Sequence, residues 1–282
     1  MSRARAAIAV GRTRDGRPTM IDEVRAIVAR HAEVVAEFAV DAPHDPRVGF
    51  DRLVSVGGDG TLIAQCRRLA GTGVPVVGVN NGRLGFLAEF DLASLEIHAP
   101  SIFGPSPLVR HRMLLEVRVV ARDGSLSASH VAMNDAVVTA GPPYHMIELR
   151  LGLNGEDGPV IDGDGCIVST PVGSTAYNAS AGGPVVHPDT EVLIVTPEAA
   201  HSLAFRPVVV PSHTDVRLDL MRANPGTSLL CDGIPVESLK VGDTVVVSRH
   251  HHMARLIANP DCSYLNTLSQ KLRWAAPPDY RG

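Results

Sequence analysis

Residues 57–61 read GGDGT and follow directly on the apolar run LVSV. Where a buried strand ends in glycines and a helix follows, backbone N–H groups point outward together, and the missing side chains let an anion come close. Phosphate is the natural anion for such a loop. Asp59 then needs a task, because a carboxylate among phosphate-binding glycines repels the ligand. Two tasks fit: holding a divalent cation, or taking the proton from a hydroxyl that attacks the phosphate. The plain alternative is that Asp59 only stabilises its own turn. The loop is neither GxxxxGK[ST] nor GxGxxG, so it lacks both the P-loop lysine and the dinucleotide-fold fingerprint.

A second polar segment, DGDGCIVSTPVGSTAYNASAGGPVVHP (162–188), gathers Asp162, Asp164, five Ser/Thr hydroxyls and an amide among small residues. Gly173 and Ser174 are placed to open a short helix whose N–H groups face an anion or a ribose. Tyr177 offers a ring to a base, with Ser180 one turn further on. A third segment, AMNDAVVTA (132–140), sets Asn134 and Asp135 at a strand start. There they are either turn residues or a pair that reads a base edge and a sugar hydroxyl. HHH at 250–252 invites a metal, but consecutive residues of a regular strand alternate faces and cannot all chelate one ion.

The elements that must position these groups fall into two patterns. AAIAV (6–10) reads as a buried strand, and IDEVRAIVARH (21–31) puts Ile21, Val24, Ile27 and Val28 on one helical stripe. EVVAEF (33–38) fits either an extension of that helix or a strand. LVSV, TLIAQCRRLA (61–70) and PVVGVN (75–80) read as strand, helix and strand, an order that implies parallel pairing in an α/β layer. From about residue 112 the chain turns to short Val-, Ile- and Leu-rich runs separated by Gly, Pro, Asn or Asp. RMLLEVRVVAR, MIELRLGL, EVLIVT, DTVVVSR and MARLIA are among them, and they suggest a β-sandwich or related all-β domain. IHAPSIFGPSPLVR (97–110), with three prolines and a glycine, reads as the linker, and the tail AAPPDYRG as frayed.

With 282 residues the chain is long enough for two domains. A formal net charge of -4 and 4% aromatic content argue against nucleic acid as a partner, by charge and by stacking capacity. The four cysteines are scattered with no CxxC pair, as expected of reduced thiols in a cytoplasmic protein. The apolar run after the first arginines is too short for a signal peptide, and no stretch approaches a membrane span, so no membrane partner is expected.

Taken together, GGDGT (57–61), NNGRLGFL (80–87), MND (133–135), DGCIVSTPVGSTAY (164–177), AGGPVVHP (181–188), HSLAFRPVVVP (201–211), CDG (231–233) and NPDCSYLNTLSQKLRW (259–274) occur in the order seen in NAD kinases. The chain resembles that family from about residue 5 to 274. GGDGT alone is shared with diacylglycerol kinases, sphingosine kinases and phosphofructokinases, and a lipid kinase is the alternative reading. The STPVGSTAY block is what makes the resemblance specific.

The resemblance implies a Rossmann-like α/β N-terminal domain (1–100), an all-β, sandwich-type NAD-binding domain (108–258) and a C-terminal segment (259–282) returning to the first domain. It implies NAD bound between the domains, phosphorylation of the 2′-hydroxyl of its adenosine ribose, and ATP, or alternatively polyphosphate, as donor with Mg²⁺ or another divalent cation. By position, Asp59 matches the acid that deprotonates that hydroxyl, and Gly57, Gly58, Gly60 and Thr61 the phosphate loop. Asn134 and Asp135 match the pair contacting adenosine, and Asp164 a further nucleotide-contacting acid. Thr175, Ala176, Tyr177 and Ser180 match the wall around adenine and ribose, while Phe86 and His145 fall at positions lining the site. Homodimers or homotetramers formed through the β domains are implied as well. The chain departs from the family pattern at Asp135, where Glu is usual, and at Val172, Asp162 and Ile234, where Thr or Ser, a basic residue, and Gln are common.

Overall fold

The computed structural model describes residues 3–11, 20–42, 48–80, 82 and 85–274. Arg83, Leu84 and Asn81 of the NNGRLGFL motif and the tail 275–282, expected to fray, lie outside the described residues. The chain divides into two units, one of Met1–His111 with Arg255–Gly282 and one of Arg112–Ala254.

In chain order the first unit begins with β1 (Ala4–Val10), α1 (Ile21–His31), β2 (Ala32–Ala39), β3 (Arg52–Val56), α2 (Asp59–Arg68), β4 (Val76–Val79), α3 (Leu92–Ile102) and β5 (Val109–Arg112). The second unit contributes β6 (Leu115–Val120), β7 (Leu126–Ala132), β8 (Asp135–Thr139), β9 (Ile147–Leu153), β10 (Glu156–Gly163) and β11 (Gly165–Ser169). A 3-10 turn (Gly173–Thr175) and the four-residue α4 (Tyr177–Ser180) follow. Then come β12 (Val192–Glu198), β13 (Val208–Pro211), β14 (Val216–Arg222), β15 (Ser228–Cys231), β16 (Ile234–Ser238) and β17 (Thr244–Arg249). The chain closes with β18 (Ala254–Ile257) and α5 (Tyr264–Leu272).

The first unit is a six-stranded sheet in the order β2-β1-β3-β4-β18-β5. The pairs from β2 through β18 are parallel, as the alternation of strand and helix requires. Val24, Ile27 and Val28 of α1 and Leu95, Ala99 and Ile102 of α3 share one core with Ile8, Val54, Val77 and Val79. Alternation along the strands sends Gly78 to the other face. There a Cβ on Gly78 would lie 2.7 Å from Leu62 Cδ2, so α2 covers that face and needs a glycine beneath it.

EVVAEF, which periodicity left open, is a strand because its backbone completes the parallel ladder of β1. The proline-rich stretch 97–110 is only partly a linker. Its first residues belong to α3, whose Leu95, Ala99 and Ile102 keep a helical spacing that Pro100 obscures. Asp91 starts this helix with a capping box, its carboxylate accepting the Ser94 N–H at 2.8 Å. MARLIA, grouped with the all-β region by its composition, instead supplies β18, which pairs with β4 in the first sheet. A buried parallel strand and a sandwich strand share the same Val/Ile/Leu composition, so only pairing separates them.

The second unit is a sandwich of two antiparallel sheets, β10-β9-β14-β17-β6-β7 and β13-β12-β11-β8-β15-β16. Alternate residues, among them Leu115, Val117, Leu149, Val168, Leu193, Leu218 and Val247, close the core between them. Each such side chain contributes roughly 1.5–3 kcal/mol by leaving water. None of the four cysteines forms a disulfide. Among the described residues no helix is long and apolar enough to cross a membrane.

Candidate active site

In the first unit, β3 is followed by Gly57 and Gly58, and α2 begins at Asp59. Gly57 has φ of +153°, and a Cβ there would lie 2.5 Å from Thr61 Oγ1, so the fold itself demands this glycine. Thr61 is packed beneath the loop in this way, against Gly57 and Gly11. Gly58 and Gly60 differ: a Cβ on either would meet nothing within 4 Å. Their smallness leaves open room above the loop, and α2 starts with no side-chain cap; the Thr61 N–H is taken by Gly58 O at 3.0 Å, which leaves those of Asp59 and Gly60 as the first-turn donors.

Asp59 is not a local turn residue. Its Oδ2 accepts the Phe86 N–H at 2.8 Å, and its Oδ1 accepts those of Leu87 at 3.2 Å and Ala88 at 2.9 Å. The carboxylate therefore reaches across to a separate loop, which fixes its direction and leaves lone-pair capacity for one more donor. That loop is pinned by buried Asn80, which donates from Nδ2 to Phe90 O at 2.9 Å and accepts the Gly82 N–H at 3.2 Å. Gly85 faces Asp59 so closely that any Cβ there would overlap Oδ1. Phe86 thus joins the site through its backbone.

In the second unit, Asn134 and Asp135 stand where β8 begins. The Asp232 carboxylate orders this start by accepting the N–H groups of Met133 at 3.0 Å, Asn134 at 2.6 Å and Asp135 at 3.3 Å. Asp232 and Gly233 turn the chain with φ of +52° and +74°. The turn after β11 is tied to the same place: Thr170 Oγ1 donates to Met133 O at 2.7 Å and accepts the Gly173 N–H at 3.1 Å. A Cβ on Gly173 would overlap Asn134 O, so only glycine lets the 3-10 turn approach. That turn opens at Gly173 as the sequence suggests.

The Asn134 side-chain amide makes no hydrogen bond among the described residues, so its donor and acceptor are available. Asp135 is only 3% exposed, and burial first, then the Asp232 charge, pushes its carboxyl up to about 7. Tyr177, 42% exposed, donates its hydroxyl to Glu198 Oε1, which with burial and the charges of Glu198, Asp135 and Asp164 pushes the phenol up to about 12. Asn134, Asp135, Asp164, Thr175, Ala176 and Tyr177 are thus brought together. Ser180 ends α4. His145 lies in the exposed loop between β8 and β9, held through its carbonyl by Asn224 Nδ2 at 2.8 Å. Of the three histidines at 250–252, His250 and His251 stack with centroids 4.3 Å apart, and the His252 ring lies tilted 4.0 Å from that of His251.

Asn80, Gly85 and Asp232 stood within the motifs NNGRLGFL and CDG without a role of their own, and Glu198 was not singled out. The signal for Asp232 was present, since CDG after an apolar run repeats the arrangement of GGDG. Asn178, the amide of the 162–188 segment, anchors α4 by donating to Ser174 O and Pro184 O at 3.1 Å each and accepting from Thr196 Oγ1 at 2.7 Å.

Residues 20–105 match the ATP-NAD kinase N-terminal domain and residues 133–259 the ATP-NAD kinase C-terminal domain. An NAD kinase of Symbiobacterium thermophilum is 42% identical over 234 residues, 82% of each chain. One of Heliobacterium modesticaldum is 39% identical over 224 residues, 79% of each chain. Among solved structures, yeast NADH kinase complexed with NADH superposes with a TM-score of 0.86 at 22% identity, covering 99% of this chain and 90% of that one, a likeness of fold. An NAD kinase from Archaeoglobus fulgidus in complex with ATP gives a TM-score of 0.75 at 27% identity, covering 95% and 98%. The lipid-kinase alternative finds no support in these similarities.

Proposed function

The chain belongs to the NAD kinase family and phosphorylates NAD to NADP, and we propose that Asp59 is the base that takes the proton from the 2′-hydroxyl of the adenosine ribose. As that oxygen attacks the terminal phosphorus of ATP, a new O–P bond forms and the bond to the bridging oxygen breaks. ADP leaves, and the proton passes to the Asp59 carboxylate. A ribose hydroxyl is a weak acid, and a positioned carboxylate speeds such a step by roughly 10²–10⁴-fold. The observation that carries this reading is the fixing of Asp59 by the N–H groups of Phe86, Leu87 and Ala88 above a loop whose Gly58 and Gly60 leave space. Orientation supplied by backbone needs no rearrangement during the reaction.

The second unit supplies recognition. Asn134 offers an unused amide to the base edge. Asp135, protonated and ionised in comparable amounts near neutral pH, both donates to and accepts from sugar hydroxyls. Its side chain is one methylene shorter than the usual Glu, so a bridging water fits that contact. Tyr177, with Thr175 and Ala176, forms the wall for adenine and ribose; Asp164, Ser180 and His145 contribute at its margin.

ATP is the donor, and polyphosphate is the alternative the same assay separates. Among the described residues no group of three or more His, Cys, Asp or Glu side chains gathers to hold a metal. The divalent cation, Mg²⁺ by charge and size, therefore fits as a passenger on the donor's phosphates and water, where it neutralises charge. The protein works in the cytoplasm as a homodimer or homotetramer joined through its β units.

The test is purified protein with Mg²⁺, NAD and either ATP or polyphosphate, with NADP followed by an NADP-specific dehydrogenase. Formation of NADP by wild type and its loss in Asp59→Asn, with NAD still bound in calorimetry, supports the assignment. Wild-type turnover in Asp59→Asn removes Asp59 from the mechanism. Light scattering settles the subunit number.

A further inference from the structure

The parallel register of the first sheet sets two arginines in one row. Leu53 faces Val76 across β3 and β4, and Val76 faces Leu256 across β4 and β18. One residue earlier, Arg52, Pro75 and Arg255 stand side by side at the N-terminal edge of the sheet. All three share parity with residues of the α1/α3 core, Val54, Val77 and Ile257, and so lie on that face. Neighbouring strands are about 4.8 Å apart, so the two arginine backbones are roughly 10 Å apart with a proline between them. Side chains of that length, rising on either side of a short ring, converge on one small ligand. Both line a cleft of about 590 Å³, together with Asp51, Thr72, Gly73 and Ser106, a volume in the range of small-molecule sites.

Neither arginine is ion-paired among the described residues. Arg52 donates from Nε to Ile102 O at 3.3 Å, from Nη1 to Asp51 O at 2.8 Å and from Nη2 to Gly104 O at 3.2 Å. Arg255 donates from Nη1 to Gly73 O at 2.7 Å, while its Nε is buried with no acceptor. Carbonyl oxygens satisfy N–H groups but leave the positive charge uncancelled. The Asp51 carboxylate, whose Oδ2 accepts the Arg5 N–H at 2.9 Å, offsets one of the two charges. Burial lowers the Arg52 guanidinium from its ordinary range against the opposing pull of Asp51, and the smaller repulsion from Arg255 adds to the effect of burial. Helix capping accounts for Arg52, which sits at the C-terminal carbonyls of α3. It does not account for Arg255, which touches no helix end of α3 and keeps an unused donor.

We propose that this cleft is a binding site for a phosphate-bearing small molecule of up to mononucleotide size, gripped between the guanidiniums of Arg52 and Arg255. Guanidinium forks match phosphate oxygens in geometry and charge, and a dianion relieves the repulsion between the pair. The site is separate from the glycine loop. β3 leaves Arg52 at one end of the sheet and delivers Gly57 at the other, about 17 Å away along the strand.

Calorimetric titration of the full chain with inorganic pyrophosphate, with the catalytic site saturated by NADP, tests this. Saturable binding is expected, weakened at least ~10-fold in Arg255→Gln and only partly restored in Arg255→Lys, which keeps the charge but loses the fork. Equal affinity in wild type and Arg255→Gln, or no saturable binding, overturns the proposal. Should Arg255→Gln fail to fold, phenylglyoxal labelling of wild type read by mass spectrometry decides. Protection of Arg52 and Arg255 by pyrophosphate supports the site, and unchanged labelling refutes it.

Discussion

Asp59 in the first unit and Asp135 in the second are the same residue type at the ends of buried strands, in opposite surroundings. Asp59 sits at the C-terminal end of a parallel strand, with three backbone N–H groups directed at its carboxylate. Asp135 opens an antiparallel strand, is buried, accepts no hydrogen bond at its carboxyl among the described residues, and stands beside a second acid. One carboxylate is aimed by the main chain. The other is starved of donors and holds its proton to near-neutral pH. The contrast teaches that backbone, not side-chain identity, decides which acid is an oriented acceptor and which retains its proton.

The strongest way to break that contrast is Asp59→Asn, which is expected to lower kcat by about 10²–10⁴-fold with little change in NAD affinity. Gly85→Ala comes next. Its Cβ would overlap Oδ1 and push the carboxylate off its three donors, so kcat is expected to fall roughly 10–100-fold with the acid still present. Gly60→Ala is its control on fold stability, because its Cβ meets open space and Ala favours a helix; thermal denaturation should show a stability equal to or above wild type. Smaller, and in the other unit, Tyr177→Ala should raise KM for NAD about 10-fold while kcat stays within about 3-fold, a wall being lost rather than a reacting group.

A separate effect is on stability rather than turnover. The Asp135 carboxyl binds its proton up to about 7 when folded, against an ordinary value of 3.8. The folded chain therefore holds more protons than the unfolded one between those values, and this stabilisation is full below the ordinary range and lost as pH rises through about 7. Urea unfolding at pH 5 and pH 8 should show wild type losing on the order of 2 kcal/mol relative to Asp135→Asn over that interval. Parallel curves would remove the burial argument for Asp135.

Much of the fold was legible because periodicity and turn residues are local. IDEVRAIVARH announces α1, and LVSVGGDGT announces a strand, a tight turn and a helix start. EVVAEF was not decidable, since its apolar residues fit both periods and only the open edge of β1 selected the strand. α3 was hidden by Pro100, which argues against a helix because proline removes the hydrogen bond to the carbonyl four residues earlier.

The sequence by itself determined the element types over most of the chain, the glycines where the backbone turns or is closely approached, and the motif order that marks an NAD kinase. Tertiary structure alone decided that Asp59 is held from residues 86–88, that Asp232 organises the strand start at 133–135, and that β18 returns to β4 to bring Arg255 level with Arg52. The physical reason is separation along the chain. Local pattern reports the conformation a segment prefers, whereas hydrogen bonds between segments far apart in sequence exist only once the sheets have fixed which ends meet.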